Sequence, residues 1–234
     1  MKLVMLNLSG NVGKTLLAKH LLQPRLKLDY FYVGEFDIID NQRQYDKMRA
    51  EAFSYVHDCV LIEPELVLDV DSTETSLFLD NLSVYQGCHN DYDYFIIPAT
   101  SAFQAMRKTE KTLERLLKIG VPTRKIRLLF NQTHHVSENA IHIEFDYLIK
   151  AAQRLGIVVP KIAVQFNEVY AMLEKYQKPL SDLVNDNNLT CDQSPSSTSS
   201  WQTASLMKRL AVKAERNLDK VFIELSLREQ AVVY

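Results

Sequence analysis

Lys2-Leu-Val-Met-Leu-Asn-Leu8, Ser9-Gly-Asn-Val-Gly-Lys-Thr15 and Leu16-Leu-Ala-Lys-His-Leu-Leu22 follow one another without a break, and their reading decides the fold. The first is an apolar run, the second a glycine-bearing turn, the third an amphipathic helical pattern. Strand, loop and helix in that order are the setting in which Gly-Lys-Thr binds phosphate. The turn Ser9, Gly10, Asn11, Val12, Gly13, Lys14, Thr15 supplies backbone N–H groups that can surround phosphate oxygens, and the helix start adds its positive dipole end. Lys14 is placed to reach β- and γ-phosphates, and the Thr15 hydroxyl to help hold Mg²⁺. An ordinary turn with an exposed lysine would not need two glycines ahead of that lysine.

Working outward, apolar runs alternate with helical patterns along the chain, which predicts an α/β fold: a mostly parallel sheet with helices on both faces. Strands are expected near residues 3–8, 30–36, 66–70, 94–97, 126–130 and 157–164. Helices are expected over 14–22, 73–85, 102–119, 137–155 and 167–176, with Pro24 ending the first. Pro160 weakens the last strand. The stretch from Asn41 to Asp58 reads as an insert carrying Arg43 and Arg49 as its only arginines. From 185 to 200 the chain turns to Asn, Asp, Ser, Thr and Pro and reads as a polar linker. Residues 1–184 then form the nucleotide-binding domain and 201–234 a C-terminal helical segment. That segment either packs on the body through its apolar stripe or serves as a tethered partner-binding helix.

A phosphate loop needs carboxylates to complete its metal site. An acid at the carboxyl end of a buried strand lies on the ligand side of an open α/β sheet. Glu65-Leu-Val-Leu-Asp69-Val-Asp71-Ser-Thr-Glu-Thr75 offers two, Asp69 and Asp71. Asp71 is preferred by the strand-end rule; Asp69, directly after the apolar triplet, is its competitor. His134 and His135 have no third ligand at useful spacing and read as surface residues.

The loop Ser9-Gly-Asn-Val-Gly-Lys-Thr15 resembles the deviant Walker A loop of the ParA/MinD group of ATPases, Lys-Gly-Gly-x-Gly-Lys-Thr, and the resemblance extends over about residues 1–184. Two positions depart: Ser9 stands at the signature lysine and Asn11 at a second glycine. In that group the lysine crosses a nucleotide-sandwich dimer to the partner's phosphates, a reach Ser9 lacks. Asn tolerates left-handed backbone, so Asn11 is the milder change. By the same resemblance Asp71-Ser72-Thr73 matches the metal acid. Val33-Gly34-Glu35-Phe36-Asp37 matches the first switch, with Asp37 positioning the attacking water and Glu35 supporting it. Asn131, after Ile126-Arg-Leu-Leu-Phe130, matches the base-reading amide, the competing reading being a cap or turn.

The resemblance implies an ATP- and Mg²⁺-dependent switch with weak turnover, in which Lys14, Asp37 and Asp71 carry catalysis and Thr15, Asp69 and Asp71 serve the metal. It implies a role in plasmid stability, partition or conjugative transfer. The implied partners are a second copy of the chain and a DNA-binding adaptor, with DNA or membrane reached indirectly. The alternatives are a nucleotide-gated binding module that hydrolyses poorly and a metabolic kinase or synthetase. The latter usually needs an arginine-rich lid, which the sequence does not offer. No Asn-Lys-x-Asp guanine reader occurs, which favours ATP over GTP.

The 234 residues carry a net charge of −2, so charge alone makes no case for nucleic acid. They are 47% apolar, enough for a substantial core. No apolar run is long enough to span a membrane, and the first residues lack the pattern of a signal peptide. Cys59, Cys88 and Cys191 form no Cys-x-x-Cys pair and read as free thiols in a reducing cytoplasm.

Overall fold

The computed structural model of the chain describes residues 1–34, 47–48, 53–176, 179–185 and 198–227. Among them the strands are β1 (Lys2–Met5), β2 (Asp29–Val33), β3 (Lys47–Met48), β4 (Leu66–Val70), β5 (Tyr94–Ala99), β6 (Ile126–Thr133) and β7 (Val164–Gln165). All neighbours pair in parallel, in the order β3-β2-β4-β1-β5-β6-β7. The two central strands, β1 and β4, are apolar because helices cover both of their faces. Leu3 and Met5 point into one core with Val67 and Ile96; Val4 and Leu6 point into the other with Leu68 and Ile97.

The core around Val4 and Leu6 is closed by α3 (Phe53–Ile62), α4 (Ser72–Val84), α5 (Phe103–Ile119), α6 (Glu138–Glu144) and α7 (Asp146–Arg154). The core around Leu3 and Met5 is closed by α1 (Lys14–Leu17) and α2 (Gln23–Leu26), then α8 (Val169–Tyr176), α9 (Leu180–Asn185) and α10 (Thr198–Leu225).

The first helix does not stop before Pro24 as the sequence predicts. A π-helical stretch, Ala18–Leu22, joins α1 to α2, and Lys27 at φ 56 ends the run. Pro24 has no N–H for the His20 carbonyl, four residues back. The Arg25 guanidinium donates to that carbonyl instead, at 2.9 Å, so the helix continues.

The expected strand over 157–164 reduces to Val164–Gln165. Pro160 cannot donate to a ladder. The N–H groups of Lys161 and Ile162 go instead to the Glu224 carboxylate, at 2.6 and 2.8 Å. The helix expected over 137–155 is divided at Phe145, whose buried ring stacks on Phe130 with centroids 4.1 Å apart. Helix α3 has no counterpart among the sequence expectations and falls partly within the expected insert.

The polar stretch 186–197 lies outside the described residues. Beyond it α10 packs on the body. Ala211, Ala214, Leu218, Val221 and Leu225 are buried in the same core as α1, while Leu206 stays exposed. Asn217 accepts from the Gln165 N–H and donates to the Ala163 carbonyl, holding the edge of β7. Arg25 Nη2 reaches both Glu215 and Asp219 at 2.7 Å, and Nε donates to Asp219 at 3.0 Å. Leu218 is fully buried. Its replacement by Ala is expected to cost about 2–5 kcal/mol. A thermal melt should show this as a fall of roughly 5–15 °C.

Candidate nucleotide site

The loop leaves the carboxyl end of β1 at the centre of the sheet. Asn7, fully buried, starts it. Its Oδ1 accepts from the Ser9 N–H at 2.8 Å, and its Nδ2 donates to the Pro98 carbonyl at 2.7 Å and to Thr109 Oγ1 at 2.8 Å. The Leu8 N–H donates to Thr112 Oγ1 at 3.1 Å. The loop's first turn is thus fixed to β5 and α5 through side chains.

Two residues of the loop have left-handed backbone, Asn11 at φ 56 and Gly13 at φ 84. At Gly13 the requirement is strict. A Cβ there would lie 2.3 Å from Asn131 Nδ2. That closeness exists because Asn131 Nδ2 donates to the Val12 carbonyl at 2.8 Å, while Asn131 Oδ1 accepts from the Gln132 N–H at 2.9 Å. Both ends of the Asn131 amide therefore engage protein backbone, and the residue is buried. Sequence position brings this amide to the loop end of the sheet; only the structure shows that it braces the loop.

Lys14 is buried under the loop, its Nζ donating to the Ser9 carbonyl at 3.3 Å. Burial lowers its pKa, against the attraction of Asp69 and Asp71. Ser9 is buried and has no cation to extend outward.

The two candidate acids have different surroundings. Asp69 is fully buried below the loop. Its Oδ2 accepts from Thr15 Oγ1 at 2.6 Å and from the Tyr30 hydroxyl at 2.8 Å, while Oδ1 is buried with no partner. Burial raises the Asp69 pKa, though both hydroxyls and Lys14 and Lys19 oppose the shift. Tyr30 is held as a phenol, first by burial and then by Asp69. Asp71 lies past the strand end and caps α4, its Oδ1 accepting from Thr73 N at 2.8 Å and Thr73 Oγ1 at 2.9 Å. Tyr32 donates to its other oxygen at 3.3 Å. Burial alone would raise the Asp71 pKa, but the Thr73 bonds and Lys14 outweigh it and the net shift is downward. Asp37 and Glu35 lie outside the described residues.

Mg²⁺ prefers oxygen ligands. The Thr15 hydroxyl donates its hydrogen bond to Asp69, which leaves its lone pairs free, and Asp69 Oδ1 is an unpaired buried oxygen beside it. These donors fit that cation. Sequence reading did not single out Tyr30, Tyr32 or Asn7. The two tyrosines alternate on one face of β2, the only trace in the sequence of their common task.

No protein-family model and no curated protein matches the sequence. The fold does match solved structures, those of McdA and MinD among them. Apo McdA is 14% identical with a TM-score of 0.52, over 88% of this chain and 98% of that one. A complex of substituted Cyanothece McdA with ATP is 13% identical with a TM-score of 0.53, over 99% and 98%. The MinC:MinD cell division protein complex of Aquifex aeolicus is 10% identical with a TM-score of 0.52, over 94% and 96%. At these identities the likeness is one of fold.

Gly13→Ala would combine a strained φ with a 2.3 Å clash and should weaken nucleotide binding by more than tenfold, read by fluorescent-nucleotide titration, on the order of 1–3 kcal/mol of local strain. Asn131→Ala leaves the Val12 carbonyl unpaired and should cost about 1–3 kcal/mol in a denaturant melt.

Proposed function

We propose that this chain is a ParA/MinD-type switch that binds ATP with Mg²⁺ and hydrolyses it slowly. The observation that carries the reading is the loop itself. Left-handed Gly13, buried Lys14 and a Thr15 hydroxyl held by a buried acid sit at the carboxyl end of the central strand. The choice of nucleotide is supported by one similar structure, substituted McdA in complex with ATP.

In this reading Lys14 swings from the Ser9 carbonyl to the β- and γ-phosphates. Asp69 keeps the Thr15 hydroxyl turned with its lone pairs toward the cation, and Asp71 stands at the start of α4 facing the same space. Mg²⁺, when bound, would offset charge on the phosphate oxygens. Asn131 braces the loop that the base passes. Asp37 is assigned the attacking water, and the segment bearing it and that following Asp71 are the two switches. The cellular role is plasmid stability, positioning or conjugative transfer, by resemblance of Asn7–Thr15 and Leu21-Leu-Gln-Pro24 to the plasmid stability protein StbB. The partners are then a second copy of the chain and a DNA-binding adaptor in the cytoplasm.

Ser9 favours a second reading as a nucleotide-gated binding module, since a short, buried serine cannot act across a dimer as the family's lysine does. Light scattering and phosphate release with and without ATP and Mg²⁺ separate the two. ATP-dependent doubling of mass with slow turnover, both absent in Lys14→Ala, is the outcome expected of the switch. A monomer that binds ATP without turnover selects the binding module.

The two acids are told apart by substitution. Asp71→Asn keeps the helix cap, because Asn caps as well as Asp. Asp69→Asn removes the charge beside Thr15. The expected result is that Asp69→Asn abolishes the Mg²⁺-dependent gain in ATP affinity, at least about tenfold, whereas Asp71→Asn leaves most of it, as measured by calorimetry.

A further inference from the structure

At the end of the sheet opposite the phosphate loop, a second set of ligand-type side chains converges. His57 comes from α3, while Cys88 and Asp91 come from a single 3₁₀ turn, Cys88–Asp91, just ahead of β5. One donor atom from each lies within 4.8 Å of the other two. The turn is far from the nucleotide site by topology: Asp93 pairs with Lys2 at the start of β1, and the loop leaves the other end of that strand.

Three features argue against a chance cluster. His57 Nε2 and Asp91 Oδ2 are 3.4 Å apart. That is longer than the usual 2.7–3.2 Å hydrogen bond, and it is the separation expected of two groups that share a cation: about 3.3 Å for a tetrahedron with ligands ~2.0–2.1 Å from zinc. The turn is rigid before any ligand arrives. Gly87 at φ 95 starts it, the Asn90 N–H returns to the Gly87 carbonyl, and Lys125 Nζ clamps the Asn90 and Tyr92 carbonyls at 3.0 and 2.7 Å. Asp91 is exposed, so a cation could enter from solvent, while the inner wall is aromatic. Phe53 stacks on His57 with centroids 5.9 Å apart, and the Tyr92 hydroxyl and His57 Nδ1 are buried without partners.

We propose that His57, Cys88 and Asp91 form a binding site for Zn²⁺ or a similar borderline divalent cation, with a fourth position left to water. One nitrogen, one thiolate and one carboxylate make a donor set suited to zinc and unsuited to Mg²⁺. The cation ties α3 to the connection between α4 and β5. It therefore pins the helix that follows the expected first switch, and the site stands independently of the nucleotide reading.

The test uses the full-length chain, stripped of metal and free of nucleotide, with Zn²⁺ for calorimetry and Co²⁺ as a spectroscopic stand-in. One equivalent should bind and raise the melting temperature, and Co²⁺ should give a thiolate charge-transfer band. Cys88→Ser should remove that band, and Cys59→Ser should keep it. Asp91→Asn and His57→Asn should weaken Zn²⁺ by more than the roughly 10–100-fold typical of losing an outer-shell partner. Circular dichroism of each variant checks that it is folded. Absence of one-to-one binding to the folded wild type overturns the proposal. So does binding that survives Cys88→Ser or His57→Asn in a folded variant.

Discussion

The buried amide of Asn7 is the joint on which the loop end of the sheet depends. A strand in the middle of a parallel sheet ends with backbone groups that no neighbouring strand can satisfy, and burial makes each unpaired group costly. Asn7 meets that demand in several directions at once. Through it β1 is bonded to the β5 carbonyl at Pro98, to α5 through Thr109, and to the first peptide of the loop at Ser9. With those bonds made inside the protein, the loop's shape does not rest on a ligand. Asn131 does the matching service from the other side, through Val12. The loop is held open by its two flanks, and its form precedes the phosphate it would bind.

How much of this could be read from the chain follows from the range of each interaction. The strand, loop and helix at 2–22 are local, and every part of their signal lies within a few residues. The parallel sheet followed from the alternation of apolar and amphipathic segments. Asp69 and Asp71 could not be separated in that way, since both stand near the end of one strand. Their roles divide by position along the chain, not by face. Asp69 has the parity of Val67 and turns toward the core beneath α1, under Thr15, whereas Asp71 lies beyond the strand and caps α4. Asn131 was found by position, but its contacts with Val12 span 119 residues and have no sequence signature. The lost strand at 157–164 depended on Glu224, a partner supplied from the far end of the chain. The helix containing His57 was missed because the residues before it are polar and its first half falls within the expected insert.

Arg25 gives the clearest sign of how the two ends of the chain are joined. One guanidinium repairs the helix that Pro24 would have broken and binds two acids of α10. The first helix thus reaches from the phosphate loop to the C-terminal helix without a flexible joint. At about 1.5 Å per residue, the run from Lys14 to Leu26 covers on the order of 20 Å.

Since α9 and α10 are both packed into the same core, the chain between them must close on two ends that are already set. The entropy of such a closure grows only with the logarithm of its length, so doubling it costs about 0.6 kcal/mol. Relatives of this chain could therefore differ there by many residues, or carry an inserted segment, while the helices on either side keep their register and the loop after β1 is undisturbed.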